Sequence, residues 1–190
     1  MDAERFADLG LRSELLSALD TLGFHRPTAI QAQAIGPILN GADLAAQAQT
    51  GSGKTLAFAL PLLHRLEERD GVQVLVMCPT RELANQVAGS FLEAAQNLRP
   101  RVEVLVAIGG VDLERQQAKI VRGVQVVVAT PGRLLDLVDR GSLDLSTLRT
   151  LVLDEADKLL DVGFGEELGR LAEVVPTERQ TLLFSATLPQ

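Results

Sequence analysis

The sequence predicts an α/β domain with a mostly parallel central sheet and helices on both faces. Three observations carry that expectation. Apolar or β-branched runs at 43–46, 73–77, 102–107, 124–129, 148–153 and 181–184 alternate with longer stretches of helical character, the rhythm of βαβ units around a sheet buried on both sides. The 190 residues, 46% hydrophobic and 23% charged, suit one globular domain over 1–190 that can bury roughly 70% of its unfolded surface. Finally, the glycine-rich and polar stretches directly follow the apolar runs, and the carboxyl ends of the strands are where open α/β sheets bind ligands.

Taken in order, Leu11, Leu15, Leu16, Leu19 and Leu22 recur at helical spacing before the first strand and read as packing residues. The strand at 43–46 leads into "AQTGSGKT" (48–55) and then into the helical "LAFALPLLHRL". The run at 73–77 precedes "PTRELA" (79–84), that at 102–107 precedes Gly109 and Gly110, and that at 124–129 precedes "TPGRLLDLV". In the last stretch Thr130 is placed to cap a helix and Pro131 suits its first position. The run at 148–153 ends at "DEAD" (154–157), and that at 181–184 ends at "SAT" (185–187).

Several function classes are disfavoured by composition. A net charge of −7 with only three lysines, Lys54, Lys119 and Lys158, does not describe a strongly basic nucleic-acid-binding domain, although it leaves room for local phosphate contacts. No apolar run approaches the roughly 20 residues of a membrane span, and "MDAERFADLG" is too acidic and polar for a secretory signal, so a cytoplasmic chain without a membrane partner is expected. The single cysteine, Cys78, ends an apolar run and reads as a small core residue.

"AQTGSGKT" has the chemistry of a phosphate cradle. Gly51 and Gly53 let the backbone turn its N–H groups inward around an anion, with Gln49, Thr50 and Ser52 completing the loop. The helix beginning near Lys54 offers its positive end to phosphates. Lys54 can reach the β and γ phosphates, and the Thr55 hydroxyl can bind Mg²⁺. The general pattern opens with Gly where this chain has Ala48. Of the acidic run after 153, Asp154 is placed to hold Mg²⁺ and Glu155 to orient or deprotonate an attacking water. Acidic residues also favour the first turn of any helix, so these carboxylates acquire that role only through the phosphate loop upstream.

"AQTGSGKT", "PTRELA", "GG", "TPGR", "DEAD" and "SAT", in that order over nearly the whole chain, resemble the first RecA-like domain of a DEAD-box RNA helicase. "GFHRPTAIQ" (23–31) is similar to that family's adenine-reading Q motif, with Phe6 matching its isolated upstream aromatic and Ala29 standing where Pro is frequent. The resemblance implies a RecA-like P-loop NTPase fold, ATP and Mg²⁺ as cofactors, and RNA as partner. It assigns Phe24, Arg26 and Gln31 to the nucleotide base; the Gln31 amide carries the donor and acceptor that complement adenine. It assigns Thr80, Arg81, Gly109, Gly110, Thr130, Pro131, Gly132 and Arg133 to RNA phosphate and sugar, contacts that carry little base specificity. It implies that Asp157, Ser185 and Thr187 couple the ATP state to strand separation. It also implies a second RecA-like domain that is absent here and supplies arginine fingers, so that the chain alone is expected to be nearly inactive. Each RNA assignment taken singly is also an ordinary cap, surface arginine or close backbone approach. Two other classes stand beside this one: a P-loop ATPase acting on non-nucleic-acid cargo, and a nucleotide-dependent interaction module without catalysis.

Overall fold

A computed structural model describes residues 5–49, 51–68 and 71–187. Six strands form one sheet: β1 (Leu44–Gln47), β2 (Val74–Met77), β3 (Val104–Ala107), β4 (Val126–Ala129), β5 (Thr150–Asp154) and β6 (Gln180–Ser185). Their order is β1-β6-β5-β2-β4-β3, and every neighbouring pair is parallel. The expectation of a mostly parallel sheet is thus met by one that is parallel throughout the described residues. After a short 3₁₀ turn at Phe6–Leu9 come α1 (Ser13–Thr21), α2 (Ala29–Leu39), α3 (Lys54–Arg65), α4 (Arg81–Ala94), α5 (Leu113–Val121), α6 (Pro131–Asp139), α7 (Ala156–Asp161) and α8 (Gly165–Val174).

Side chains alternate across a strand, and that period of two splits the interior into two cores. Val74, Val76, Val126 and Val128 face one cluster with Leu15, Leu19, Ile35, Phe58 and Phe91, drawn from α1 to α4. Leu75, Met77, Val127 and Ala129 face the other, with Leu134, Leu137, Leu159 and Leu171 from α6, α7 and α8. In the first core Phe58 sits 5.2 Å from Phe184 and 6.1 Å from Phe91 between ring centroids, a tilted arrangement within the favourable range for aromatic pairs. Leu11, Leu15 and Leu19 are buried and Leu16 packs against the same cluster, as the helical spacing requires.

The strand order separates two sets of loops. β1, β5 and β6 lie side by side and end in the glycine-rich loop, in Asp154 and in Ser185. β2, β4 and β3 lie side by side and lead into Thr80, Thr130 and the Gly109–Gly110 turn. Both sets open at the carboxyl edge of the sheet, with the β5–β2 pairing as their boundary.

Candidate active site

The loop between β1 and α3 adopts backbone angles that few residues tolerate. Gly51 has φ 83° and Gly53 φ 90°, in the region where glycine lacks the steric penalty of other residues. The Ser52 N–H donates to the Gln49 carbonyl at 3.2 Å, closing the turn. Gly53 is the N-cap of α3, and no side chain caps that helix end, which leaves it suited to an anion. Thr50 lies outside the described residues. Thr55 sits half-buried in the first turn of α3.

Gln31 is joined to this loop. Its Oε1 accepts the Thr28 N–H at 2.9 Å and its Nε2 donates to the Gly53 carbonyl at 3.0 Å. The first bond belongs to a reciprocal capping box that starts α2. The second carries the position of α2 to the phosphate loop. A Cβ on Gly53 would lie 2.6 Å from Gln31 Nε2, so a larger residue here would strain φ and displace the Gln31 amide from its bond to the loop. Phe24, 46% exposed, and the exposed Arg26 lie in the segment leading to α2.

Three charged side chains meet between α3 and the end of β5. Lys54 Nζ is 3.2 Å from Asp154 Oδ1 and 3.5 Å from Glu155 Oε1. All three residues are buried, Asp154 completely. Burial pushes the Asp154 carboxyl above its ordinary range, with the Lys54 charge pulling the other way. Asp154 Oδ2 is buried with no hydrogen-bond partner, as is Ser52 Oγ across the loop. Buried polar atoms are nearly always satisfied, so an unpartnered oxygen on the loop and another on the Lys54-paired carboxylate are notable exceptions. Carboxylate, ammonium, hydroxyl and a glycine-rich helix start are together a donor set that fits a Mg²⁺–nucleoside phosphate.

Glu155 holds φ 52° and ψ 52°, the one positive φ outside glycine among the described residues. Such a conformation costs about 1–3 kcal/mol and persists where surrounding contacts impose it. Here the Glu155 N–H donates to Asp154 Oδ1 at 3.0 Å, and the carboxylate is held between Lys54 and Lys158, whose Nζ is 2.8 Å from Oε2. Sequence reasoning missed Lys158; its separation of three residues from Glu155 was the available signal.

Asp157, Ser185 and Thr187 do meet. Thr187 donates through N–H and Oγ1 to Asp157 Oδ2 at 3.1 and 3.2 Å, the Asp157 N–H donates to Ser185 Oγ at 3.3 Å, and Ser185 Oγ donates to the Thr187 carbonyl at 2.6 Å. The end of β6 is therefore bonded to the start of α7, two residues from Glu155.

The second set of loops forms a shallow cleft lined by Thr80, Arg81, Gly109, Thr130, Gly132 and Arg133, with Phe164 at its margin. Thr80 caps α4 by accepting the Leu83 N–H at 3.2 Å. Thr130 occupies the N-cap of α6 without a side-chain cap bond, and Pro131 follows at the first position, so this helix start keeps its donors for another acceptor. Arg133 Nη1 donates to the Val111 carbonyl at 3.1 Å. Gly109 and Gly110 lie beneath a side chain of the same cleft. The Arg81 guanidinium packs over both, and a Cβ on either would press against it. Phe164 was not identified from sequence, since a lone aromatic after an acidic helix carries no spacing signal.

Fold and site together define a P-loop nucleotide-binding domain of RecA-like fold. The DEAD/DEAH box helicase family model matches residues 28–190, and the chain belongs to that family. It is 50% identical over 186 residues to the ATP-dependent RNA helicase DeaD of Escherichia coli K12, covering 97% of this chain and 29% of that protein. It is 46% identical over 185 residues to the RNA helicase CrhR of Synechocystis, covering 97% of this chain and 37% of the relative. Among solved structures, that of a DEAD box protein from the hyperthermophile Methanococcus jannaschii superposes with a TM-score of 0.94 at 36% identity, covering 100% of this chain and 52% of that one. The chain thus spans about a third of these curated relatives, in the region of the first RecA-like domain. No helix among the described residues is long and apolar enough to cross a membrane.

Proposed function

We propose that this chain is the ATP-binding half of a cytoplasmic RNA-dependent ATPase that couples ATP binding and hydrolysis to local RNA duplex separation or ribonucleoprotein remodelling. The observation that carries this reading is the Lys54–Asp154–Glu155 cluster beside two unsatisfied buried oxygens, one strand pairing away from a separate shallow cleft. Relatives across nearly the whole chain are named RNA helicases.

In this reading Asp154 and Thr55 hold Mg²⁺, and the ion neutralises charge on the β and γ phosphates when bound. Lys54 and the N–H groups of the glycine-rich loop grip those phosphates, and Gln31, with Phe24 and Arg26 nearby, recognises the adenine. Glu155 accepts a proton from the attacking water as its oxygen bonds to the γ phosphorus and the bond to the β–γ bridging oxygen breaks, giving ADP and phosphate. Thr80, Arg81, Gly109, Gly110, Thr130, Pro131, Gly132 and Arg133 take RNA through phosphate and sugar, with little preference among bases. The bonds among Asp157, Ser185 and Thr187 tie the end of β6 to the start of α7 beside Glu155, and this reading assigns to that contact the coupling of the ATP state to strand separation.

Phosphoryl transfer of this kind gains about 10³–10⁵ in rate from an arginine finger. Arg81 and Arg133 lie in the cleft after β2 and β4, away from the phosphate loop, and the reading assigns the finger to a second RecA-like domain. The test compares ATP turnover of residues 1–190 with that of the two-domain protein at saturating ATP, with and without single-stranded RNA. Near-zero turnover for the fragment and RNA stimulation of the longer protein are expected. Comparable rates would place the whole catalytic set within this chain, and turnover indifferent to RNA would remove RNA as the effector.

A further inference from the structure

Within a chain of net charge −7, one surface is locally positive and lies outside the cleft already described. Arg115, Lys119 and Arg122 recur along α5 and its C-cap, a spacing that aligns them on one face. With Ala118 they line a shallow hollow beside Glu103. Arg101, on the segment leading into β3, is 3.8 Å from Glu103. The acidic neighbours offset little of this charge. Arg115 reaches Asp112 only at 3.9 Å, and the groups in both pairs are largely solvated, the setting in which ion pairs contribute least. Among the described residues Lys119 and Arg122 take no ion-pair partner.

The helix dipole favours cations in a last turn and so accounts for Lys119 and Arg122 by position. It does not account for Arg115 in the first turn, where it opposes a cation, nor for Arg101 on a separate segment. The stripe also follows the cleft directly along the chain. β3 is an edge strand that leads into Gly109 and Gly110, and Arg133 bonds the Val111 carbonyl directly before α5. From Arg115 to Arg122 the helix advances about 10 Å at 1.5 Å per residue, away from the cleft and down the sheet edge. The exposed Val121, 87% accessible, stands beside it.

We propose that this stripe is an accessory RNA-binding surface, on which strand leaving the cleft at the β3 edge is held through its phosphates by Lys119 and Arg122, supported by Arg115 and Arg101. The proposal rests on the reading of the cleft as the RNA site. Such phosphate neutralisation adds affinity and salt dependence without sequence preference.

The test is an NMR titration of the ¹⁵N-labelled chain with a short single-stranded RNA that fills only the cleft and with a longer one, in the wild type and in the Lys119→Gln/Arg122→Gln variant. Amide shifts are expected at 109–110, 130 and 132–133 with both RNAs, and at 118–123 only with the longer. The variant should lose the second set, keep the first, and bind the longer RNA several-fold more weakly, with the salt slope reduced by about 0.7 for each phosphate that is no longer neutralised. Shifts in the cleft without shifts on α5, or an unchanged salt slope in the variant, would overturn the accessory surface alone. Absence of shifts in the cleft would overturn the RNA reading and this proposal with it. Equal response of α5 to an acidic polypeptide of the same charge would show a general polyanion surface and overturn the assignment to RNA.

Discussion

Lys54 Nζ lies 3.2 Å from Asp154 Oδ1, while the second oxygen of the same carboxylate is buried without a partner. The lysine is thus one half of a buried pair, and in the proposed reading it is also a phosphate ligand. Lys54→Ala should abolish measurable nucleotide binding by calorimetry, because the charge-assisted donor to the β and γ phosphates is removed. It should also cost on the order of 3 kcal/mol in urea unfolding, since one partner of a buried pair is left behind. Unchanged affinity for ATP would remove Lys54 from the phosphate site.

Asp154 is expected to show the opposite balance. Burial raises its folded carboxyl above the ordinary range, so its contribution to stability is fully present below the unfolded value of about 3.9 and is lost as pH rises through the folded value. At neutral pH the carboxylate is thus a burden on the ligand-free fold. Asp154→Asn should raise the melting temperature while eliminating Mg²⁺-dependent nucleotide binding; for a domain of this size a rise of about 2–4 °C corresponds to 1 kcal/mol. A lower melting temperature in the variant would contradict this account.

Glu155 is clamped by Lys54 and Lys158 in a left-handed conformation. Glu155→Gln in the two-domain protein should leave ATP binding intact and slow hydrolysis by roughly 10²-fold or more, because water activation is removed while Asp154 keeps its charge at the metal side. Rapid-quench turnover at the wild-type rate would exclude Glu155 as the base.

The bond from Gln31 to the Gly53 carbonyl gives the substitution at Gln31 a double consequence. Gln31→Ala should weaken ATP and GTP alike by loosening the phosphate loop, and weaken ATP further by about 1–3 kcal/mol if the amide also reads adenine. Equal weakening for the two nucleotides, measured by competition, would confine Gln31 to supporting the loop. Gly53→Ala should be more damaging than either, since it combines φ 90° with a Cβ 2.6 Å from Gln31.

All six strands were legible within two residues, because each is a short apolar run bounded by glycine or polar segments. Where an end differs, a distant partner decides it. β6 begins at Gln180 rather than 181 because that buried polar side chain is satisfied by the Ile38 and Ala42 carbonyls and by Arg65, all far away in sequence. The meeting of Lys54 with Asp154 followed from the strand-loop-helix context, but the strand order that separates the glycine-rich loop and Asp154 from the cleft after β2, β4 and β3 did not, since periodicity says nothing about which strands adjoin. For the same reason Gln31 read as a base contact while its bond to Gly53, 22 residues away, stayed hidden.

A last prediction concerns pH and a residue outside the active site. His64, in the last turn of α3, accepts the Arg12 backbone N–H on Nδ1 at 3.0 Å, and the Arg12 guanidinium donates to the His64 carbonyl. A ring nitrogen that accepts a hydrogen bond must be unprotonated, so this contact between the start of α1 and the end of α3 requires neutral imidazole. Burial, and secondarily the Arg12 charge, hold the folded His64 below its ordinary value. For a depressed folded value the unfolded chain binds the proton more readily. The contribution is therefore present above the unfolded value of about 6.5 and is lost as pH falls through the folded one. Urea unfolding should show stability declining from pH 7.5 to pH 5.5, above the range where carboxylates titrate. His64→Gln, whose amide oxygen can accept the same N–H at any pH, should flatten the decline, while His25→Gln at an exposed position should leave the His64 contribution in place. A decline that persists unchanged in His64→Gln would assign the pH dependence to another group.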